Sequence, residues 1–300
     1  MNRIPKLLIT GASGFTGQHA CGHFVKAGFN VTAMTRNNTV NEQVRTEHCD
    51  LIDKVSVKNI VKEIKPDYLL HLAGHNHVGE SWLHPVSSLE ANVLSTLYLI
   101  DALREENPAC KIVVVGSALQ FDPQHITTVT NPYSLSKTLQ VLIAQSWQIL
   151  YNMHISIAKP SNLIGPGKSN GICSIFAKKI VDMEENKTDK VLEVNNLQAQ
   201  RDFVDVRDAV RAYEIILTKG ESGEIYEIAS GKSCSLYDII TNYKLLTYVN
   251  FEIKSSDDQK EEKVAIQLAK VMKLGWTPKI PLISSLKDIL NYYRQNQYKV

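Results

Sequence analysis

Tyr133, Lys137 and Ser117 are the side chains in this 300-residue chain best suited to moving a proton on and off an alcohol or ketone oxygen. A phenol, with an unperturbed pKa near ~10, is a weak acid at neutral pH. A lysine one helical turn further on shares its face of the helix and, as a cation, favours the phenolate. Asn131-Pro132 reads as an N-cap followed by a first-turn proline. Tyr133 then falls in the first turn, where the helix dipole also favours negative charge. A hydroxyl from Ser117 could hold a substrate oxygen against that phenol. Because Tyr-x-x-x-Lys arises by chance in many chains, its meaning depends on the elements that position it.

Those elements alternate. Strands are predicted at Lys6–Thr10, Asn30–Thr35, Thr46–Cys49, Tyr68–Leu72, Lys111–Gly116 and Ile155–Lys159, with helices around 15–27, 54–64, 81–105 and 132–150. Short apolar strands joined by helical crossovers make a parallel sheet covered on both faces. After Lys159-Pro160 the rhythm breaks at Gly165-Pro166-Gly167 and Asn170-Gly171. A helix near 174–185 and a strand at Glu224–Ser230 follow. The expected division is a cofactor domain over 1–160, to which about 201–230 returns, and a substrate domain over 161–300. The helices around 89–105 and 134–150 are apolar round much of their circumference, which asks for a second partner. A homodimer through these helices is the expectation, with deep burial in the monomer as the alternative.

Gly11-Ala-Ser-Gly14-Phe-Thr-Gly17 follows the first strand and opens a helix. In that context, backbone without Cβ approaches a pyrophosphate, and the N–H groups of the helix start bind the anion. At the end of the second strand a carboxylate usually marks NAD, by binding the ribose 2′-hydroxyl. From Val31 to Asn38 there is no acid; Thr35 and Arg36 instead suit a 2′-phosphate. NADP(H) is expected, with NAD(H) as the alternative.

Composition sets the frame. Apolar residues make up 44% and charged residues 21%, an ordinary globular balance. A net charge of +2 is too mild to argue for nucleic acid or an anionic membrane. No apolar stretch approaches a membrane span. Cys21, Cys49, Cys110, Cys173 and Cys234 are scattered and odd in number, which fits reduced thiols and a cytoplasmic location. His71, His75 and His77 are spaced like a metal cluster, but one sits at a strand end and two in the next loop, so no metal is expected. Lys254–Lys263, with mixed charges, reads as a solvated loop.

Gly11-x-x-Gly14-x-x-Gly17, His71-Leu-Ala-Gly74, Ser117, Tyr133-x-x-x-Lys137 and Arg201-Asp-Phe-Val-Asp-Val occur in the order seen in the extended short-chain dehydrogenases/reductases, which this chain resembles. The fold that the resemblance implies is α/β, a Rossmann doubly wound parallel sheet with a smaller C-terminal α/β substrate domain. Within that superfamily the chain is most similar to the GDP-4-keto-6-deoxy-D-mannose reductases, through Val78-Gly-Glu-Ser81-Trp82, Asn162-Leu-Ile-Gly165 and the run Asn196–Tyr213. The resemblance implies a cofactor site of Gly11, Ser13, Gly14, Phe15, Thr16, Gly17, Thr35, Arg36, Asp50, Leu51, Leu72, Ala73, Gly74, Asn92 and Pro160, together with Tyr133 and Lys137. It makes Ser117 the substrate-oxygen donor, Tyr133 the proton donor, and Lys137 the residue that binds the nicotinamide ribose. His75, His77, Asn162 and Arg201 join Ser117 in holding a nucleotide-diphosphate sugar, with Arg201 facing the diphosphate.

Departures from the pattern narrow the reaction. Ser117 is followed by Ala118 and Leu119, whereas the related 4,6-dehydratases place an Asp-Glu pair there for acid–base work. These two side chains cannot move protons. Upstream of Leu274-Gly275-Trp276 the arginine of a family Arg-Pro pair is missing, leaving Lys260 or Lys263 as point-charge substitutes. The expected activity is therefore NADPH-dependent reduction of the C4 ketone of a nucleotide-linked 4-keto-6-deoxy-hexose. A 4-epimerase with tightly held NAD is the enzymatic alternative, and a non-catalytic NADP-binding regulator is the other.

Overall fold

The computed structural model describes residues 3–37, 40, 44–257, 259–262 and 266–296. The first half alternates as β1 (Lys6–Thr10), α1 (Phe15–Lys26), β2 (Asn30–Thr35), β3 (Arg45–His48), α2 (Lys54–Ile64) and β4 (Tyr68–His71). It continues with α3 (Val78–Leu83), α4 (Pro85–Leu89), a π-helical turn (Glu90–Leu94), α5 (Ser95–Glu106), β5 (Lys111–Val115), α6 (Pro132–Tyr151) and β6 (Ile155–Pro160). Then come β7 (Asn162–Ile164), α7 (Ile172–Glu184), β8 (Val191–Asn196), β9 (Gln200–Asp205), α8 (Val206–Lys219), β10 (Ile225–Ile228) and β11 (Ser233–Ser235). The chain closes with α9 (Leu236–Leu246), β12 (Glu252–Asp257), α10 (Ala269–Lys273) and α11 (Leu282–Asn296).

The chain divides into two units. The first comprises Met1–Pro160, Val210–Glu227 and Lys270–Trp276; the second comprises Ser161–Ala209, Ile228–Ala269 and Thr277–Val300. Residues 201–209 and 228–230 group with the second unit, and Lys270–Trp276, which carries the Leu274-Gly275-Trp276 segment, groups with the first. The central sheet runs β10-β6-β5-β4-β1-β2-β3. Its β1–β2, β1–β4, β2–β3, β4–β5 and β5–β6 pairs are parallel. This is the Rossmann order, in which strand direction reverses its progress beside β1 and leaves a crevice at the strand ends. Leu8, Leu69, Ile112, Val114, Ile155 and Ile157 fill its core, packed against Val57 and Val61 of α2 and Leu99 and Leu103 of α5. In the second unit, β11-β9-β7 and β12-β8 form two small sheets around Phe176, Leu192, Phe203 and Tyr243.

Two sequence expectations are corrected. The single helix over 81–105 is broken, because Pro85 cannot continue a helix and disfavours the helical region for the residue before it. His84 accordingly sits at φ −133° and ψ 63°. The π turn then shifts the helical register and brings Asn92 into the interior. The stretch Lys254–Lys263 is not all loop, since Lys254–Asp257 belong to β12 and pair in parallel with β8. Strand pairing there overrides a polar sequence, with Ile253 packed on the core. Lys263 lies outside the described residues.

Candidate active site

The glycine loop is built by close backbone approach. Gly11 has φ +65°, and a Cβ there would lie 2.7 Å from the Ala73 nitrogen. A Cβ on Gly17 would lie 2.2 Å from the Gly11 carbonyl oxygen, so both positions require glycine. Gly14 is the N-cap of α1, and no side chain caps that helix. The first-turn N–H groups around Phe15 and Thr16 are therefore left without a side-chain cap at the positive end of the helix dipole, next to Ser13 in the chain. This donor set fits a dinucleotide pyrophosphate. Thr35 is buried at the end of β2, and Arg36 beyond it is exposed with no acid at the strand end. Asp50, exposed, and Leu51, buried, follow β3, while Leu72, Ala73 and Gly74 leave β4.

Ser117, Tyr133 and Lys137 are all buried and come together after β5 and along α6. Asn131 caps α6 by accepting from the Ser134 N–H at 2.8 Å, with Pro132 in the first turn. Ser81 adds a second anchor, its hydroxyl accepting from the Tyr133 N–H at 3.1 Å. The Ser117 loop is pinned by Gln120, whose side-chain oxygen accepts from the Ser117 N–H at 3.1 Å and whose amide nitrogen donates to the Lys137 carbonyl at 3.4 Å. Ser117 Oγ accepts from the Leu119 N–H at 3.1 Å. Its own hydrogen is then available for the Tyr133 phenol, to which Ser117 is hydrogen-bonded.

The electrostatics differ from the sequence reading. Burial raises the Tyr133 phenol above its ordinary range, and the Ser117 hydrogen bond only partly offsets this. The sequence reading, in which Lys137 favours the phenolate, left out desolvation, which is the larger effect at this buried phenol. Lys137 is itself pushed down to about 7 by burial. Its ammonium donates to the Val115 carbonyl at 2.7 Å and to Gln140 Oε1. A phenol kept protonated is a proton donor, which suits reduction.

Asn92, expected at the cofactor, is fully buried, and its amide is committed to protein. Oδ1 accepts from the His75 N–H at 2.8 Å, while Nδ2 donates to the His75 carbonyl at 3.0 Å and to Ser136 Oγ at 2.7 Å. It ties the loop after β4 to α6. His77 Nδ1 accepts from the Glu80 N–H at 3.1 Å and so caps α3. Pro160 ends β6, its carbonyl accepting from the Ala118 N–H at 3.2 Å. Among the described residues, no three His, Cys, Asp or Glu side chains converge to hold a metal.

Asn162 and Arg201 lie on neighbouring strands of the second unit, where β7 pairs with β9. Asn162 Nδ2 donates to the Asp202 carbonyl at 2.9 Å. Arg201 is exposed and ion-pairs with Glu261. Its neighbour Asp202 is buried and accepts instead from Ser161 at 2.7 Å, Ser230 at 2.8 Å and the Lys232 N–H at 3.0 Å. Ser81 belongs to the Val78–Trp82 motif, which assigns it no role, and no motif assigns a role to Gln120 or Gln140. A glutamine three residues after Lys137 in an apolar helix was the available signal, since buried amides need partners.

Comparison with known proteins gives the chain its family. The model of the NAD dependent epimerase/dehydratase family matches residues 7–229. The chain is 28% identical to GDP-6-deoxy-D-mannose reductase of Pseudomonas aeruginosa, covering 95% of this chain and 96% of that protein. It is 26% identical to dTDP-D-glucose 4,6-dehydratase of Mus musculus, covering 97% and 89%. The solved structure of RMD from Pseudomonas aeruginosa complexed with NADPH superposes with a TM-score of 0.84 at 26% identity, covering 98% of each chain. With a Rossmann sheet, a glycine cradle and the Ser117–Tyr133–Lys137 set already in place, the match over well over half its length makes this chain a member of the NAD dependent epimerase/dehydratase family, an NAD(P)-dependent enzyme of the oxidoreductase type.

Proposed function

We propose that the protein is an NADPH-dependent reductase of the C4 ketone of a nucleotide-linked 4-keto-6-deoxy-hexose. The observation that carries this reading is a protonated, buried Tyr133 hydrogen-bonded to Ser117, followed by Ala118 and Leu119 where acid–base partners would be needed for dehydration. A bound nicotinamide dinucleotide supplies the hydride. Ser117 holds the ketone oxygen, Tyr133 gives that oxygen its proton as the alkoxide develops, and Lys137 stabilises the phenolate left behind. Asn162 and Arg201 hold the nucleotide diphosphate, the guanidinium fork matching phosphate oxygens once Arg201 exchanges its Glu261 partner. Offering GDP-, UDP-, dTDP- and CDP-linked 4-keto-6-deoxy sugars with NADPH tests the reading, and at least one should drive NADPH oxidation; none doing so would refute it.

Cofactor choice rests on Thr35-Arg36 and the missing acid at the end of β2. Arg36→Glu should weaken NADPH by about tenfold to a hundredfold, the value of one or more charge-assisted phosphate bonds, and spare NADH. Equal affinities of the wild type for NADPH and NADH, read by fluorescence titration, would contradict this.

We also propose a homodimer through the helices around 89–105 and 134–150. Leu142, Ile149, Leu150 and Tyr151 of α6 are exposed, with Leu150 at 68%. Sedimentation should give about twice the 33.6 kDa chain mass. A monomer at micromolar concentration would exclude that pairing.

A further inference from the structure

Behind Lys137 lies a buried polar chain that reaches β1, and the direction of each hydrogen bond in it is fixed by its neighbour. The Thr96 hydroxyl donates to the Asn92 carbonyl at 2.7 Å. Its oxygen can then only accept, which it does from Gln140 Nε2 at 2.9 Å and from His71 Nε2 at 2.8 Å. His71 therefore carries its proton on Nε2, leaving Nδ1 to accept from the Thr10 hydroxyl at 2.7 Å. Thr10 Oγ1 in turn accepts from the Ala73 N–H at 3.2 Å. This assignment requires a neutral imidazole, and burial with Lys137 nearby pushes His71 down to about 3.

Thr96 is saturated by one donated and two accepted bonds, so it holds the Gln140 amide in a single orientation. That orientation turns Oε1, the acceptor, towards the Lys137 ammonium, which has only donors. Gln140, Thr96 and His71 are all fully buried, so neither water nor a rotamer change offers the amide another partner.

We propose that Gln140, locked by Thr96 and His71, is a positioning residue for the reaction, holding the Lys137 ammonium in place between its own Oε1 and the Val115 carbonyl. The inference rests on Lys137 being the lysine that serves the cofactor and Tyr133. The titratable groups around it are His71 from β4 and Tyr133 one turn earlier on α6. The same chain explains why the strand end after β4 keeps its shape, since Thr10 and Ala73 are its far end.

The test is an NMR titration of the Lys137 side chain in the cofactor-free protein, assigned with Lys137→Met, in wild type, Gln140→Leu and Gln140→Glu. Removing the acceptor in Gln140→Leu should move the lysine midpoint down by about one pH unit, the equivalent of a neutral hydrogen bond to a charged group. Gln140→Glu keeps an acceptor and adds charge, so its midpoint should move up instead. Thr96→Val, which frees the amide without touching the lysine, should move it down by less than Gln140→Leu and covers the case where Gln140→Leu does not fold. In turnover, Gln140→Leu should lose kcat at unchanged sugar KM, and Gln140→Glu should restore part of it. Identical lysine titrations in all the variants that fold would overturn the proposal. Shifted titrations in a protein that reduces no nucleotide sugar would uphold the positioning and refute the reductase reading instead.

Discussion

Tyr133→Phe should lower turnover by about 10²–10⁴-fold, the range that a positioned general acid supplies, while NADPH affinity stays within about twofold. The substitution removes one oxygen from a buried side chain and leaves the ring packing and the α6 anchors untouched. Ser81 still accepts from the backbone at 133, and Asn131 still caps the helix. The lost group is the only atom of that side chain able to move a proton. The phenol, which burial holds above its ordinary range, is protonated across the neutral region and so enters the reaction as a donor. Ser117 cannot substitute, since an alcohol hydroxyl is a far weaker acid than a phenol. Turnover by Tyr133→Phe within a few-fold of wild type would remove the phenol from the mechanism.

Lys137→Met should cost at least about 10²-fold in turnover, and it should also change how stability depends on pH. Burial brings the Lys137 ammonium down to about 7, whereas the unfolded chain keeps an ordinary lysine near ~10.4. Between those values the unfolded state binds the proton and the folded state does not. Stability therefore rises with pH through that window and is lost as pH falls towards 7. Methionine abolishes this contribution. At pH 7 the relief of burying an ammonium is opposed by two acceptors left without a donor, the Val115 carbonyl and Gln140 Oε1, each worth about 1–3 kcal/mol. Net stability at neutral pH should thus change little, and the slope is the informative quantity. Melting temperatures from pH 6 to 10 should climb more steeply in wild type than in Lys137→Met; parallel curves would mean that Lys137 is not depressed in the folded chain.

Much of the cofactor half was legible because its signals are local. Glycine spacing after a strand reports a backbone approach that no other residue permits, as Gly11 and Gly17 demonstrate. Short apolar strands alternating with helices report a parallel, doubly wound sheet. What could not be read was set by tertiary context. The π turn that buries Asn92 has no sequence signature beyond the interruption at Pro85. The polar strand β12 exists because β8 offers it a ladder, which its own composition does not announce. The direction of the Tyr133 shift was missed for a related reason. Spacing reveals that a cation is near, but only packing reveals how much water is excluded, and at this phenol the second effect is larger. Gln120 and Gln140 stayed hidden because an amide in a helix or loop looks solvated until its burial is known.

The central claim is a one-carbon reduction, and the most direct measurement follows the hydrogen itself. Protein incubated with NADPH deuterated at the transferable position and the accepted nucleotide-linked 4-keto-6-deoxy-hexose should yield a sugar with deuterium at C4, one NADPH consumed for each product. A protein that instead purifies with retained NAD and interconverts C4 epimers of a nucleotide sugar, consuming no NADPH and placing no deuterium at C4, would contradict the account.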